Sequence, residues 1–154
     1  MKKPAKSNMY VNAKLESLAP FDAAIDGDVD ASACIVSYGA LPAGVKTAFE
    51  AACNGVGMPD PVYLDASQLA PADAFAALEG LDPEAVIIAD DVAAALLAQA
   101  YRCEVATDTY GRLFGRPYVA FTSFEADLAQ ERTKQRDWAL LKTLRRSSER
   151  RKHA

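Results

Sequence analysis

The sequence predicts one α/β domain in which helices cover both faces of a mostly parallel sheet. Four short apolar runs, rich in β-branched residues, alternate along the chain with segments that have helical spacing. Such alternation is typical of parallel strands joined by crossover helices. The 154 residues, just over half of them apolar, suffice to bury one ordinary core. We therefore predict a three-layer α/β/α sandwich around a four-stranded parallel sheet, with strands near residues 34–37, 62–64, 86–89 and 118–121.

The first strand, loop and helix span residues 33–52, and the rest of the prediction is organised around them. Residues 34–37 form a short, mostly apolar run without alternation, which suits a strand buried on both faces. Gly39 gives the following loop backbone freedom. Pro42 suits the first turn of a helix, because its missing N–H is not needed there. The helix then carries apolar residues at helical spacing and is predicted to end at Asn54 and Gly55.

The chain is predicted to have one domain with short ends. We assign residues 1–8 to a disordered N-terminus, residues 9–146 to the α/β domain and residues 147–154 to a basic flexible tail. The N-terminal residues are positively charged but lack an apolar segment, so we do not expect them to act as a signal peptide. No apolar run approaches the roughly 20 residues that cross a bilayer. We therefore expect a cytoplasmic protein without membrane contacts.

The middle of the chain contains the second and third strands, each followed by a helix. The second strand ends at Asp65 and leads to a helix over residues 71–79. The third strand, residues 86–89, is the clearest in the chain and ends at Asp90 and Asp91. Either aspartate can cap the helix predicted over residues 92–101.

The last part of the chain is less regular. Residues 103–116 contain two glycines and are predicted to form a small hairpin or a loop, with Tyr110 and Phe114 anchored inward. After the fourth strand, Thr122 and Glu125 match a capping box at the start of a helix. A polar stretch predicts a bend near Gln130 that splits this helix in two. The second helix is expected to pack against the sheet through Trp138, Leu141 and Leu144.

The ends of the four strands supply the candidate ligand-binding residues. The carboxyl ends of parallel strands meet at one edge of an open sheet, where ligands usually bind. The candidates at this edge are Tyr38, Gly39, Pro42, Asp65, Asp90, Asp91, Thr122 and Ser123. Asp65, Asp90 and Asp91 could hold a magnesium ion, but aspartates after strands more often cap helices. We expect no catalytic residue set, no metal and no cofactor. Three scattered cysteines without a C-x-x-C pair favour free thiols.

The charge of the chain is distributed unevenly. Residues 1–130 contain 8 Lys and Arg against 18 Asp and Glu, whereas residues 131–154 contain 9 against 3. A basic end on an acidic domain can contact nucleic acid, an acidic protein or the domain itself. It can also be a solvated helix end that complements the helix dipole. The basic patch consists of Arg145, Arg146, Arg150, Arg151 and Lys152.

Three stretches resemble the uracil-DNA glycosylase-like superfamily. The loop GALPAG resembles its Gly-x-x-Pro-Gly loop, and VIIADDVAAALLAQAY resembles its strand leading into an Ala-rich helix. FTSFEADL followed by ERTKQRDWALL resembles its last strand, His-Pro-Ser motif and following helix. The resemblance covers about two thirds of the chain and implies a four-stranded parallel sheet with strand order 2-1-3-4.

The chain lacks the residues on which the chemistry of that superfamily depends. Ala40 and Leu41 stand where the resemblance implies a polar residue that activates water. No histidine lies near Phe121 and Thr122, and the single histidine is His153. A glycosylase must flip a base, stabilise the departing base and orient water. We therefore expect a degenerate member without glycosylase activity that binds a protein or nucleic acid. The alternatives are a small enzyme that uses the strand-end carboxylates on a polar small molecule, and an interaction module whose basic end docks on an acidic partner.

Overall fold

The computed structural model describes residues 8–152 of the chain, with side chains described from residue 9 to residue 145. The predicted disordered segment 1–8 therefore lies outside the described residues except for Asn8, which begins the first helix. The helices are α1 (Asn8–Leu18), α2 (Ala43–Gly55), α3 (Pro71–Leu81), α4 (Asp91–Tyr101), α5 (Phe124–Asp127) and α6 (Glu131–Lys152). The strands are β1 (Ile25–Asp26), β2 (Ala33–Ser37), β3 (Val62–Asp65), β4 (Ala85–Ile88), β5 (Thr109–Leu113) and β6 (Arg116–Ala120).

The fold is mixed α/β, built on one six-stranded sheet of order β1-β3-β2-β4-β6-β5. The inner strands β3, β2, β4 and β6 are parallel to their neighbours. The outer strands β1 and β5 are antiparallel to β3 and β6. The prediction of a four-stranded, purely parallel sheet is therefore wrong for the sheet as a whole.

Both added strands have weak sequence signals. β1 has only two residues, which is too short for any alternation to be recognised. The hairpin of β5 and β6 turns at Phe114 and Gly115, which both have positive φ. A two-residue turn of this kind normally carries Asn-Gly or Asp-Gly. Because phenylalanine occupies the first position here, the sequence lacks the usual signal for this turn. Tyr110 is exposed on this hairpin, so the prediction that it is anchored inward is wrong. Phe114 is also largely exposed, but its ring contacts Phe75 and Tyr101 edge-to-face and so attaches the turn to the domain.

Two apolar clusters cover the two faces of the sheet. Alternate residues of each strand point to opposite faces, so Val36 and Ile88 belong to the cluster formed with α1, α3 and α4. Ile35 and Ile87 belong to the cluster formed with α2, α5 and α6. All five residues of β2 are buried, which explains why its sequence is a continuous apolar run.

The two C-terminal helices follow the predicted bend, because α5 ends at Asp127 and α6 begins at Glu131. Leu141 and Leu144 are buried as expected. Trp138 is 37% exposed, so the prediction that it packs fully against the sheet is wrong. Its ring lies instead over the end of α2, where a Cβ on Gly55 would come within 3.0 Å of it.

The basic patch lies at the end of α6. The helix continues to Lys152, past residue 147, where the flexible tail was predicted to begin. Arg145 is exposed. The side chains of residues 146–152, together with residues 153–154, lie outside the described part, so the flexibility of segment 147–154 stays a prediction.

Candidate functional site

The loop after β2 is the centre of the strand-end edge. Gly39 has a φ of +105°, a conformation that residues with a side chain rarely adopt, and this lets the chain turn directly after the strand. The Ser37 hydroxyl donates to the Gly39 carbonyl at 2.8 Å inside this turn. Pro42 is the N-cap residue of α2 and not part of its first turn, and its carbonyl accepts from Val45 and Lys46 at 3.1 and 3.0 Å.

Asp90 spans the point of the sheet where ligands usually bind in open α/β folds. β2 and β4 are neighbours, but the helices that follow them pack on opposite faces, which normally opens a crevice between the strand ends. Here one carboxylate oxygen of Asp90 accepts from the Tyr38 N–H at 2.9 Å, and the other accepts from the Ala93 N–H at 2.8 Å. A single side chain therefore caps α4 and ties the β2 loop across the crevice.

Asp65 holds the same loop from the other side. Its Oδ1 accepts from the Gly39 N–H at 2.8 Å, the Ser67 N–H at 3.0 Å and the Ser67 hydroxyl at 2.7 Å. Burial alone would raise the pKa of Asp65, but the hydrogen bonds from the Ser67 hydroxyl and from the Gly39 and Ser67 backbones outweigh it and lower the pKa. Asp65 is therefore stabilised as a carboxylate that orders the backbone.

The loops after β4 and β6 complete the edge. The exposed Asp91 donates its N–H to the Thr122 carbonyl at 3.0 Å. The Thr122 hydroxyl donates to Asp108 at 2.8 Å. Ser123, and not Thr122, is the N-cap of α5, because its hydroxyl accepts from the Ala126 N–H at 3.2 Å. The predicted capping box is therefore wrong: the cap lies one residue later, and Ala126, three residues after it, has no side chain that could return a hydrogen bond.

The structure brings the predicted edge residues together, but their carboxylates do not converge on a common point. Asp65 and Asp90 bind neighbouring N–H groups of one loop, from Gly39 and Tyr38. Among residues 9–145, no three His, Cys, Asp or Glu side chains are arranged to hold a metal ion. The half-exposed ring of Tyr38 is the large apolar surface that this edge presents.

A small cavity of about 180 Å³ lies beside the ends of β2 and β3. Its lining includes Asp26, Lys46, Tyr63 and Asp65. Lys46 pairs with Asp26 at 2.8 Å and lies 4.7 Å from the centre of the Tyr63 ring. Sequence reasoning missed Asp26 and Lys46, because the pairing of β1 with β3 brings residues that are 20 positions apart into contact.

A second group of carboxylates lies beyond the end of β6, and sequence reasoning missed it as well. One nitrogen of Arg136 donates to Asp108 at 3.2 Å, to Asp127 at 2.9 Å and to Asp137 at 3.0 Å. Asp137 is buried, with 1% of its surface exposed, and its Oδ2 has no hydrogen-bond partner in the described part of the chain. The polar stretch that contains it was interpreted only as a break between two helices.

An apolar groove of about 450 Å³ lies between α2, α5 and α6. Ala48, Phe124, Leu128, Trp138 and Leu141 form most of its apolar lining. Lys134 and Glu131 stand at the groove as a weak pair 3.9 Å apart. Opposite charges at its rim do not select a charged ligand.

The cysteines are free thiols, as expected. Burial raises the pKa of Cys34 to about 12, and burial together with Glu50 raises that of Cys53 to about 12. A thiol with such a pKa is hardly ionised at neutral pH and is a poor nucleophile. Cys103 is exposed.

No protein-family model and no curated protein matches this chain. The resemblance to the uracil-DNA glycosylase-like superfamily therefore depends on the quoted stretches alone. Within residues 8–152, no helix combines the length and apolar character that crossing a bilayer requires.

Proposed function

We propose that this chain is a non-catalytic binding domain with a glycosylase-like three-layer α/β/α architecture, and that it binds a nucleic acid or an acidic protein through the basic end of α6. The order of the inner strands, β3-β2-β4-β6, supports the architecture, since it corresponds to the order 2-1-3-4 that the resemblance implies. Apolar clusters on both faces of the sheet support it too.

The state of the strand-end carboxylates is the observation that carries the non-catalytic part. Asp90 and Asp65 already accept hydrogen bonds from the backbone of the β2 loop. A general base must be able to reach a proton of the substrate, whereas these carboxylates are occupied in holding Tyr38 and Gly39. With Ala40 and Leu41 in the loop and no histidine before His153, the chain has no residue at the positions where the resemblance implies the groups of glycosylase chemistry.

Activity can be tested with a labelled oligonucleotide that contains one uracil. We expect no release of uracil by the full-length chain. Release that disappears in Asp90→Asn would contradict the proposal, because it would assign catalysis to the strand-end edge. Release that persists in Asp90→Asn would point to a contaminating enzyme, and repurification would remove it.

Binding through the basic patch can be tested by fluorescence anisotropy with single- and double-stranded DNA. The test variant changes Arg145, Arg146, Arg150, Arg151 and Lys152 to Gln in the full-length chain. If these five residues contact five phosphates of duplex DNA, the logarithm of the binding constant should fall with the logarithm of the salt concentration with a slope of about −4.5. The test variant should bind too weakly to show this salt dependence. Arg102→Gln, an exposed arginine elsewhere on the chain, is the matched control and should retain the slope. Equal binding of DNA by the test variant and the unmodified chain would show that the basic patch is not the binding surface. If the unmodified chain binds an acidic protein but not DNA, the partner is an acidic protein and not a nucleic acid.

The cavity beside β2 and β3 favours a second candidate, a small enzyme that acts on a polar molecule. This cavity of about 180 Å³ is lined by one positive side chain, Lys46, and two negative ones, Asp26 and Asp65. It is smaller than most drug-sized ligand sites. A thermal-shift screen with small phosphates, carboxylates and amines tests it. Stabilisation that Lys46→Gln abolishes would favour the enzyme over the binding domain.

A further inference from the structure

The carboxylate group beyond β6 connects three parts of the chain that are distant in sequence. Asp108 lies before β5, Asp127 ends α5, and Arg136 and Asp137 lie in the second turn of α6. Arg136 is the shared partner of all three aspartates. Three carboxylates around one guanidinium leave an excess of negative charge at a place where Asp137 is almost fully buried.

The hydrogen bonds leave one atom unexplained. Two nitrogens of Arg136, Nε at 3.1 Å and Nη2 at 3.0 Å, donate to Oδ1 of Asp137. Oδ2 of Asp137 is buried, and no donor of the described residues reaches it. Asp127 and Asp137 accept from the same nitrogen of Arg136, at 2.9 and 3.0 Å, so the two carboxylates lie side by side. Two neighbouring carboxylates, one of them buried, are costly when both are ionised, and a proton on one of them allows a hydrogen bond in place of the repulsion.

We propose that Asp137 keeps a proton in the folded chain and donates it to the neighbouring carboxylate of Asp127, and that this proton is a pH-dependent latch between α5 and α6. Loss of the proton leaves two charged carboxylates side by side around one nitrogen of Arg136, which also binds Asp108. The first turns of α6 are then pushed away from α5. The latch is independent of the proposed partner, since it uses none of the residues of the basic patch.

The surroundings of the pair agree with a latch and not with a catalytic centre. Asp137 is 1% exposed, so no substrate can reach it. Burial first, and then the hydrogen bond and charge of Asp127, raise the pKa of Asp137 to about 7, against the opposing effect of Arg136. The transition of the latch therefore falls near neutral pH.

The elements that pack on the first turns of α6 supply the charged and polar groups around Asp127 and Asp137. The segment before β5 supplies Asp108, and the segment after β6 supplies the Thr122 hydroxyl that binds Asp108. α5 supplies Asp127, whose backbone carbonyl also accepts from the Thr133 hydroxyl at 2.7 Å. α2 meets α6 where Gly55 faces the ring of Trp138. Arg136 of α6 is the cation that contacts the pair.

The single tryptophan of the chain makes the latch measurable, because Trp138 directly follows Asp137. The experiment is a titration of Trp138 fluorescence from about pH 5 to about pH 9, which covers about two pH units on either side of the expected transition. We expect one transition near pH 7 in the full-length chain and none in Asp137→Asn, which keeps the shape of the protonated side chain. Asp127→Asn serves as the second variant if Asp137→Asn does not fold. Asp60→Asn is the control, since Asp60 is an exposed aspartate whose positive φ of 54° suits asparagine, and it should retain the transition.

Hydrogen exchange of residues 131–140, corrected for the intrinsic effect of pH, gives a second readout. Protection should fall about tenfold or more above the transition, the factor that corresponds to one pKa unit, and should stay constant in Asp137→Asn. A transition of equal midpoint and amplitude in Asp137→Asn and the unmodified chain would overturn the proposal. Fluorescence and exchange that are both flat across this range in the unmodified chain would overturn it as well.

Discussion

The double role of Asp90 makes a quantitative prediction about stability. Asp90→Ala removes the N-cap of α4, which costs about 1 kcal/mol. It also leaves the Tyr38 N–H without its acceptor at 2.9 Å, which costs about 1 kcal/mol more, at the low end for a group that is close to solvent. We therefore expect the free energy of unfolding to fall by about 2 kcal/mol, equivalent to a decrease in Tm of about 4–8 °C for a chain of this length.

The neighbouring residue supplies a matched control for this prediction. Asp91 is also acidic and in the first turn of α4, but it is exposed, so Asp91→Ala loses only a dipole interaction of about 0.3–1 kcal/mol. Asp90→Asn keeps an oxygen for the cap and loses the acceptor for Tyr38, so it should cost about 1 kcal/mol. Urea unfolding monitored by circular dichroism measures all three. If Asp90→Ala and Asp91→Ala cost the same, the carboxylate does not hold the β2 loop and the assignment of its structural role is wrong.

Three further predictions follow from the contacts described. Asp65 has a lowered pKa, so the stability that it contributes is present above its ordinary pKa of 3.8 and is lost as the pH falls through its pKa in the folded chain. The difference in urea midpoint between Asp65→Ala and the unmodified chain should therefore shrink in acid. A difference that does not change with pH would mean that the hydrogen bonds to Asp65 do not lower its pKa. Asp137 has a raised pKa, so its contribution is complete below about pH 4 and is lost progressively as the pH rises toward 7. The free energy of unfolding of Asp137→Asn should therefore already exceed that of the unmodified chain at pH 5, and the excess should grow by about 2–3 kcal/mol between pH 5 and pH 8, toward an upper bound of about 4 kcal/mol. An excess that stays constant between these pH values would refute this. Trp138→Ala should lower the free energy of unfolding by about 1–2 kcal/mol, because the ring is partly exposed, whereas the buried Leu141→Ala should lower it by about 2–5 kcal/mol. Thermal unfolding measures both, and equal decreases would mean that Trp138 is a core residue.

The sequence by itself determined the alternation of strands and helices, because burial imposes a local pattern. A strand covered on both faces needs a continuous apolar run, and β2 and β4 have one. Caps are local too, so the cap of α4 could be narrowed to Asp90 or Asp91 from their position after a strand, and the structure selects Asp90. The residues at the ends of the inner strands were also predictable, since parallel strands end at a common edge.

The tertiary structure alone decided how these residues are used. The second acceptor role of Asp90 depends on Tyr38, 52 positions away, and the pair of Asp26 and Lys46 depends on a two-residue strand. Strand β1 has no local signal strong enough to be recognised, and the two glycines of residues 103–116 left a hairpin and a loop as alternatives that only the pairing of β5 with β6 decided.

The carboxylate latch illustrates the same division most clearly. Arg136 and Asp108 are 28 positions apart, and their pairing carries no periodicity or motif. Along the chain, Asp137 is one polar residue in a polar stretch of helix. Its burial, its unpartnered oxygen and its raised pKa arise only when α6 packs beside α5 and the end of β6. Local patterns encode which residues are buried and where an element begins, whereas the electrostatic state of a side chain depends on charges that folding brings together from distant parts of the chain.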